Sequence, residues 1–189
     1  MKKCIMIILS IVTALLLCSC KVGVGKMGIF DADDKAIDER FKQIVEAIEN
    51  HDKDTLVSMF SAQALNQIVD FEAQVDYLFE FIQGEIEFWG RTGGPGSSEG
   101  VNDDGSGRTW KEIRATYDIK TSEQIYHVSL QEITKHSQDS DKVGISSFCI
   151  INAEDWGEEY NYWGDLGLPK DFKTLGIFVD FNKNDMPQE

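Results

Sequence analysis

The side chains with chemistry to offer are three histidines, four cysteines and a surplus of carboxylates. His51 falls where a helical period stops, and His136 lies beside a polar run. His127 alone falls in mid-strand, so it is the one candidate general base. It alternates with Tyr126, Val128 and Leu130, so if those three face the helices, His127 faces water. A base needs an acid or substrate within hydrogen-bond reach. For His127 that partner would be Asp118 or Glu132 across the sheet. Cys149 sits in the apolar run FCII, where a buried, inert thiol is expected. A nucleophilic role would need a nearby positive charge to lower its pKa.

Metal and phosphate chemistry find little support. The chain has no HExxH, no CxxC and no paired histidine spacing. The stretch 101–112 invites comparison with a calcium loop, since Asn102, Asp104 and Ser106 alternate and Gly107 follows. Position twelve is then Ile113, with Glu112 one residue early, so the bidentate ligand is missing. The acidic run 31–34 caps a helix as well as it would hold calcium. GGPGSSEG lacks the lysine of a phosphate loop, and no G-x-S-x-G elbow occurs. No metal or other cofactor is called for.

The net charge is -15, from 33 acidic and 18 basic residues. Such a field repels nucleic acid and anionic lipid heads. A cationic peptide, an amine or a metal ion is more compatible with it, and so is solubility alone; the ligand expected is small and apolar or cationic.

The first residues, MKKC, are positive, and residues 5–17 are almost wholly apolar. That is the layout of a secretory signal, and its apolar core is short of the roughly 20 residues of a membrane span. It ends in Leu17-Cys18-Ser19-Cys20, which resembles the bacterial lipoprotein box. The resemblance implies cleavage before Cys20, a diacylglycerol on its sulfur, and residence on the extracytoplasmic face of a bacterial membrane. Two or more acyl chains anchor firmly, one only marginally. Cleavage removes Cys4 and Cys18 and lipid occupies Cys20, so Cys149 is left without a partner for a disulfide. The expected organisation is a signal peptide over 1–19, a tether over 20–33 and a single domain over 34–189.

Helical spacing runs from Asp34 to Asn50, with Ile37, Phe41, Ile44, Val45 and Ile48 on one side. Asp33 or Asp34 is placed to cap it. A short helix follows, capped by Asp52 or Asp54, then a turn capped by Ser61. A further helix runs from about Asp70 to Gln83, with Gly84 placed to end it. From Glu85 the period becomes two. Residues 90–108 hold seven glycines and a proline, which predicts a long loop. Strands are predicted over 110–121, with Ile113, Ala115, Tyr117 and Ile119 on the dry face, then over 124–135 and 143–151. The phase shift after Ser146 predicts a bulge. Residues 156–164 crowd four large aromatics into nine positions, which cover the core's end or rim a pocket. Helices first and hairpin-linked strands after them predict an α+β fold, helices packed on an antiparallel sheet.

The run FKQIVEAIENHDKDTLVSMFSAQAL, residues 41–65, resembles the opening of the NTF2-like superfamily through Asp54, Leu56, Phe60, Ser61, Ala64 and Leu65. YLFEFIQG at 77–84, GGP at 93–95, KEI at 111–113 and YWG at 162–164 resemble the bacterial lipoprotein family DUF5104. The glycine-rich insert after Pro95 is longer than in that pattern. The resemblance implies a cystatin-like cone: N-terminal helices packed on a curved antiparallel sheet, with a cavity between. It implies no particular activity, because this fold hosts isomerases, dehydratases, binding proteins and adaptors alike. Enzymes on it place an Asp–His or Tyr–Asp pair inside the cone.

Three functions fit. The first is a membrane-tethered lipoprotein that binds a small molecule or peptide, with Tyr77, Trp89, Trp110, Tyr117, Tyr162 and Trp163 lining the pocket. The second is a non-catalytic envelope module, expected to form a homodimer or a partner complex. The third is a small acid–base enzyme of the isomerase or hydro-lyase kind.

Overall fold

The computed structural model describes residues 28–68, 70–101, 109–155 and 176–179. The chain divides into two compact units, Met1–Asp31 and Ala32–Glu189. Residues 1–19, expected as a signal peptide, and residues 20–27 of the expected tether, Cys20 included, lie outside the described residues. The calcium-like stretch 102–108 and the aromatic run 156–164, Tyr162 and Trp163 included, also lie outside them.

Helix α1 spans Gly28–Glu49. Its buried residues include Ile37, Phe41, Ile44, Val45 and Ile48, on the face that the spacing predicts. It starts earlier than expected, so Asp33 and Asp34 are not caps: they lie within the helix and turn toward cations of the sheet. Helix α2, Lys53–Ser58, is capped by Asp52, which accepts from the Thr55 amide at 3.0 Å. Helix α3, Ala62–Gln67, is capped by Ser61, which accepts from the Ala64 amide at 3.1 Å. Helix α4 is Phe71–Phe81. It stops short of Gly84, whose φ of +82° instead serves the turn into the sheet.

Five strands follow among the described residues: β1 Ile86–Val101, β2 Thr109–Thr121, β3 Ile125–His136, β4 Gly144–Asn152 and β5 Gly176–Val179. They lie in that order in one sheet. The first four are antiparallel neighbours, and β5 runs parallel to β4. The bulge at Ser146 is real: Gln131 faces Ser147 and Glu132 faces Ile145, which leaves Ser146 unpaired in the ladder.

The glycine-rich stretch corrects an expectation. Residues 90–101 are strand, paired with β2 as far as Val101↔Thr109. Two conditions permit this. β1 is an edge strand, so half its backbone groups need no sheet partner. Its ladder is also broken between Arg91 and Gly93 and again between Gly93 and Gly96, so Pro95 sits in a bulge where no ladder donor is needed. Gly94 has φ +82°, and a Cβ there would lie 2.8 Å from the Arg114 carbonyl oxygen, so only glycine fits. Bulges bend the strand that holds them, and the four-stranded antiparallel part is accordingly curved.

The helices cover one face of the sheet. Ile113, Ala115, Tyr117 and Ile119 of β2 and Tyr126, Val128 and Leu130 of β3 are buried there against Phe41, Ile44 and Leu78. Phe41 and Tyr117 stack with ring centroids 3.7 Å apart and planes 4° from parallel, and Trp89 meets Phe41 edge-on at 5.4 Å. The backbone also joins the two layers. Ser61 donates to the Ile145 carbonyl at 3.0 Å, and Ile145 donates back to Met59 at 2.9 Å. Gly144, φ +126°, lies under this joint, where a Cβ would stand 2.8 Å from the Ser61 nitrogen. Among the described residues no helix is long and apolar enough to cross a membrane.

Candidate functional site

Strand β2 sends odd-numbered side chains to the helices and even-numbered ones to the opposite face, as the period of two requires. Lys111 and Tyr117 therefore point inward with Ile113. Opposite Tyr117, Arg91 of β1 does the same. These three meet three carboxylates of α1.

The Tyr117 hydroxyl donates to Asp38 Oδ1 at 2.9 Å. Arg91 Nη1 donates to Asp34 Oδ1, and its Nε lies 3.6 Å from Asp38 Oδ1. Lys111 Nζ donates to Asp33 Oδ1 at 2.6 Å. Asp34 and Asp38 are four apart and share a flank of α1, so one arginine reaches both. Desolvation, the Asp38 hydrogen bond and the Asp38 charge together hold the Tyr117 phenol in its neutral form, well above the ordinary value. Burial works against the Arg91 charge, but the hydrogen bond that Arg91 donates to Asp34 and the charges of Asp38 and Asp34 outweigh it and hold the guanidinium more firmly protonated.

The cluster is graded in depth. Tyr117 is fully buried. The Asp33 side chain is 8% exposed, Lys111 22%, Arg91 24%, Asp34 34% and Asp38 38%. Exposure thus rises outward from Asp33 and Tyr117 along this edge of the helix–sheet interface, and in that sense the cluster is a mouth. Asp33 Oδ2 is buried and has no hydrogen-bond partner. A carboxylate accepts through both oxygens, and an unmet buried acceptor costs about 1–3 kcal/mol. A donor entering here would recover that cost.

On the opposite face, His127 Nδ1 lies 2.5 Å from Asp118 Oδ1, each side chain about one-third exposed. Of the two acids anticipated for His127, Asp118 is thus its partner. Glu132 has the inward phase of Val128 and Leu130, and it accepts from Arg40 Nε at 3.0 Å and Nη2 at 2.8 Å. Cys149 lies on the outer face, paired with Ser129 and Phe178. Burial pushes its thiol up to about 12, so it is a poor nucleophile at neutral pH. Among the described residues no group of three or more His, Cys, Asp or Glu is arranged to hold a metal ion.

Of the six aromatics expected to line one pocket, Tyr162 and Trp163 lie outside the described residues, and the other four are spread over α4, β1 and β2. Trp89 and Tyr117 do meet, through Phe41, with 6.2 Å between their centroids. Tyr77 lies on α4, half exposed and 6.2 Å from Phe81. Trp110 has the outward phase of β2, with its indole against Gly100. Sequence reasoning missed Asp33, Asp34, Asp38, Arg91 and Lys111. Phase was the available signal: Lys111 shares the parity of Ile113, and a cation pointing into a helix-covered face needs acids waiting on the helix.

A comparison with curated proteins finds no match. The model of the domain of unknown function DUF5104 matches residues 43–153, from the middle of α1 to the turn after β4, which is more than half of the chain. The protein is therefore a member of the DUF5104 family.

Proposed function

We propose that this protein is an exported lipoprotein, anchored through Cys20 to the extracytoplasmic face of a bacterial membrane. Its domain, NTF2-like in ancestry, binds a small cationic or apolar ligand at the mouth beside α1. The positive start, apolar core and Leu-Cys-Ser-Cys ending support the anchor. The helices-then-sheet order supports the ancestry. The binding role rests on one observation: a buried carboxylate oxygen, Asp33 Oδ2, left without a donor at the floor of a mouth graded from buried to exposed. An ammonium or amidinium group would supply that donor, and the Trp89–Phe41–Tyr117 stack, at the Asp38 end of the same edge, offers an apolar wall.

Acid–base catalysis is less well supported. The Tyr117–Asp38 and His127–Asp118 pairs lie on opposite sides of β2, so no single substrate can touch both.

Native mass spectrometry of the purified mature chain tests the binding role, with a retained non-covalent mass expected in wild type and absent in Asp33→Asn. A bare wild-type mass, together with a panel of amines that stabilises wild type no more than Asp33→Asn, would refute it. Denaturing spectra test the anchor separately: acyl mass on Cys20 is expected, and a chain that retains residues 1–19 without lipid would overturn it.

A further inference from the structure

The outer face of the sheet carries a second feature, at the end where β2 turns into β3. Phe88 of β1, Lys120 of β2 and Ile125 of β3 are cross-strand partners and form one row. Phe88 is 63% exposed and Ile125 43%. The two exposed apolar side chains thus lie two strands apart in one row, with only the lysine between them.

Phe88 is held on the surface by its bed. A Cβ on Gly90 would lie 2.9 Å from the Phe88 Cζ, so the ring lies over a position that has no side chain to lift it. The ladder shifts between Ile86 and Phe88. This lets Glu87 come round beside Phe88, where it accepts from Lys120 Nζ at 2.6 Å. The lysine stem thus fills the gap between the phenyl ring and the isoleucine, with its charge neutralised.

The border of the row is acidic. Glu85 lies beside the β2–β3 turn, its amide donating to Ser122 Oγ at 3.1 Å. Exposed Glu123 belongs to the same turn, and Asp118 is the next outward residue of β2 after Lys120. Four carboxylates therefore surround one lysine that already has a partner. A second copy of the chain would bring the same negative border, which repels, and the whole chain carries -15.

We infer that the row Phe88–Lys120–Ile125, with its carboxylate border, is a docking surface for a cationic amphipathic peptide. The peptide's apolar stripe lies on Phe88 and Ile125, and its lysines or arginines meet Glu85, Glu123 and Asp118. This surface is distinct from the mouth beside α1 and faces the other way, so the failure of either proposal leaves the other standing.

The test uses the full chain in nanodiscs of zwitterionic phosphatidylcholine, with the signal from empty discs subtracted. The probe is a fluorescent Lys/Leu amphipathic peptide about four helical turns long, followed by anisotropy. Wild type is expected to bind, with affinity falling as salt rises. The double variant Phe88→Ser/Ile125→Ser is expected to weaken binding by about tenfold or more, which is 1.4 kcal/mol or above. The charge-reversed pair Glu85→Lys/Glu123→Lys is expected to weaken it as well. All four side chains are exposed, and circular dichroism verifies the fold. Equal affinity of the serine variant and wild type overturns the proposal. So does equally tight binding of the matching Glu/Leu peptide. Light scattering that shows a dimer lost on the serine substitutions would assign the surface to a second copy and overturn it too.

Discussion

Tyr117 and Asp118 are neighbours in β2 and live in different worlds. Each makes a short polar contact: Tyr117 with Asp38 of α1, 79 residues away, and Asp118 with His127, its partner nine residues on in β3. Tyr117 is sealed, stacked on Phe41, and its partner is shared with Arg91. Asp118 and His127 stand in partial contact with water. The strand's alternation alone separates them. A polar pair on the covered face is tied into packing and must be satisfied, whereas a pair on the open face can exchange its partner for solvent at little cost. The same chemistry is structural on one side of a strand and available for encounter on the other.

The sharpest way to break this contrast is Tyr117→Ala. It removes the stacked ring and leaves Asp38 and Arg91 facing a cavity, so a loss of about 3–5 kcal/mol is expected in urea unfolding. A loss no larger than that of His127→Ala would erase the distinction.

Tyr117→Phe isolates the hydroxyl. The ring still stacks, and Asp38 keeps Arg91, so about 1–2 kcal/mol should go. This variant also has a pH signature. Folding raises the phenol's pKa, so its contribution is fully present below the ordinary phenol value of about 10 and drains away as pH climbs beyond it. Cys149 acts in the same sense from 9.0 upward, because burial raises its thiol too. Stability measured against pH should therefore fall on the alkaline side in Cys149→Ser, and fall less steeply once Tyr117→Phe is added to it. An unchanged alkaline limb would mean that Tyr117 ionises as freely folded as unfolded.

The smallest effect is expected on the open face. His127→Ala should cost at most about 1 kcal/mol at neutral pH, the range for water-exposed ion pairs. A loss above 3 kcal/mol, on the scale of a broken buried pair, would show that the outer pair is structural after all.

Much of the architecture was legible from period alone. The apolar stripe of α1, the caps Asp52 and Ser61, the dry face of β2 and the bulge at Ser146 follow from local rules, and each is where those rules put it. Two misjudgements share a cause, which is that composition was read without context. Glycine and proline in 90–101 argued for a loop, but an edge position and bulges relieve the demands that glycine and proline fail to meet. Asp33 and Asp34 argued for a cap, but the helix continues past them and their charges answer Lys111 and Arg91 from strands far away in sequence. The cluster at the mouth could not be assembled from sequence, because it depends on which helix flank lies over which strand. Arg40 and Glu132, 92 residues apart, make the same point. The parallel seating of β5 against β4 was likewise hidden, since strand direction depends on the path between strands and not on their own residues.

Met59 and Ser61 exchange main-chain hydrogen bonds with Ile145, so the helical layer is sewn to the sheet and does not merely rest on it. Loss of the helices and loss of β4 then become a single event. The amides of Ser61 and Ile145 should exchange with solvent deuterium at one common rate, that of the slowest, whole-molecule opening, while helix ends far from the seam fray sooner.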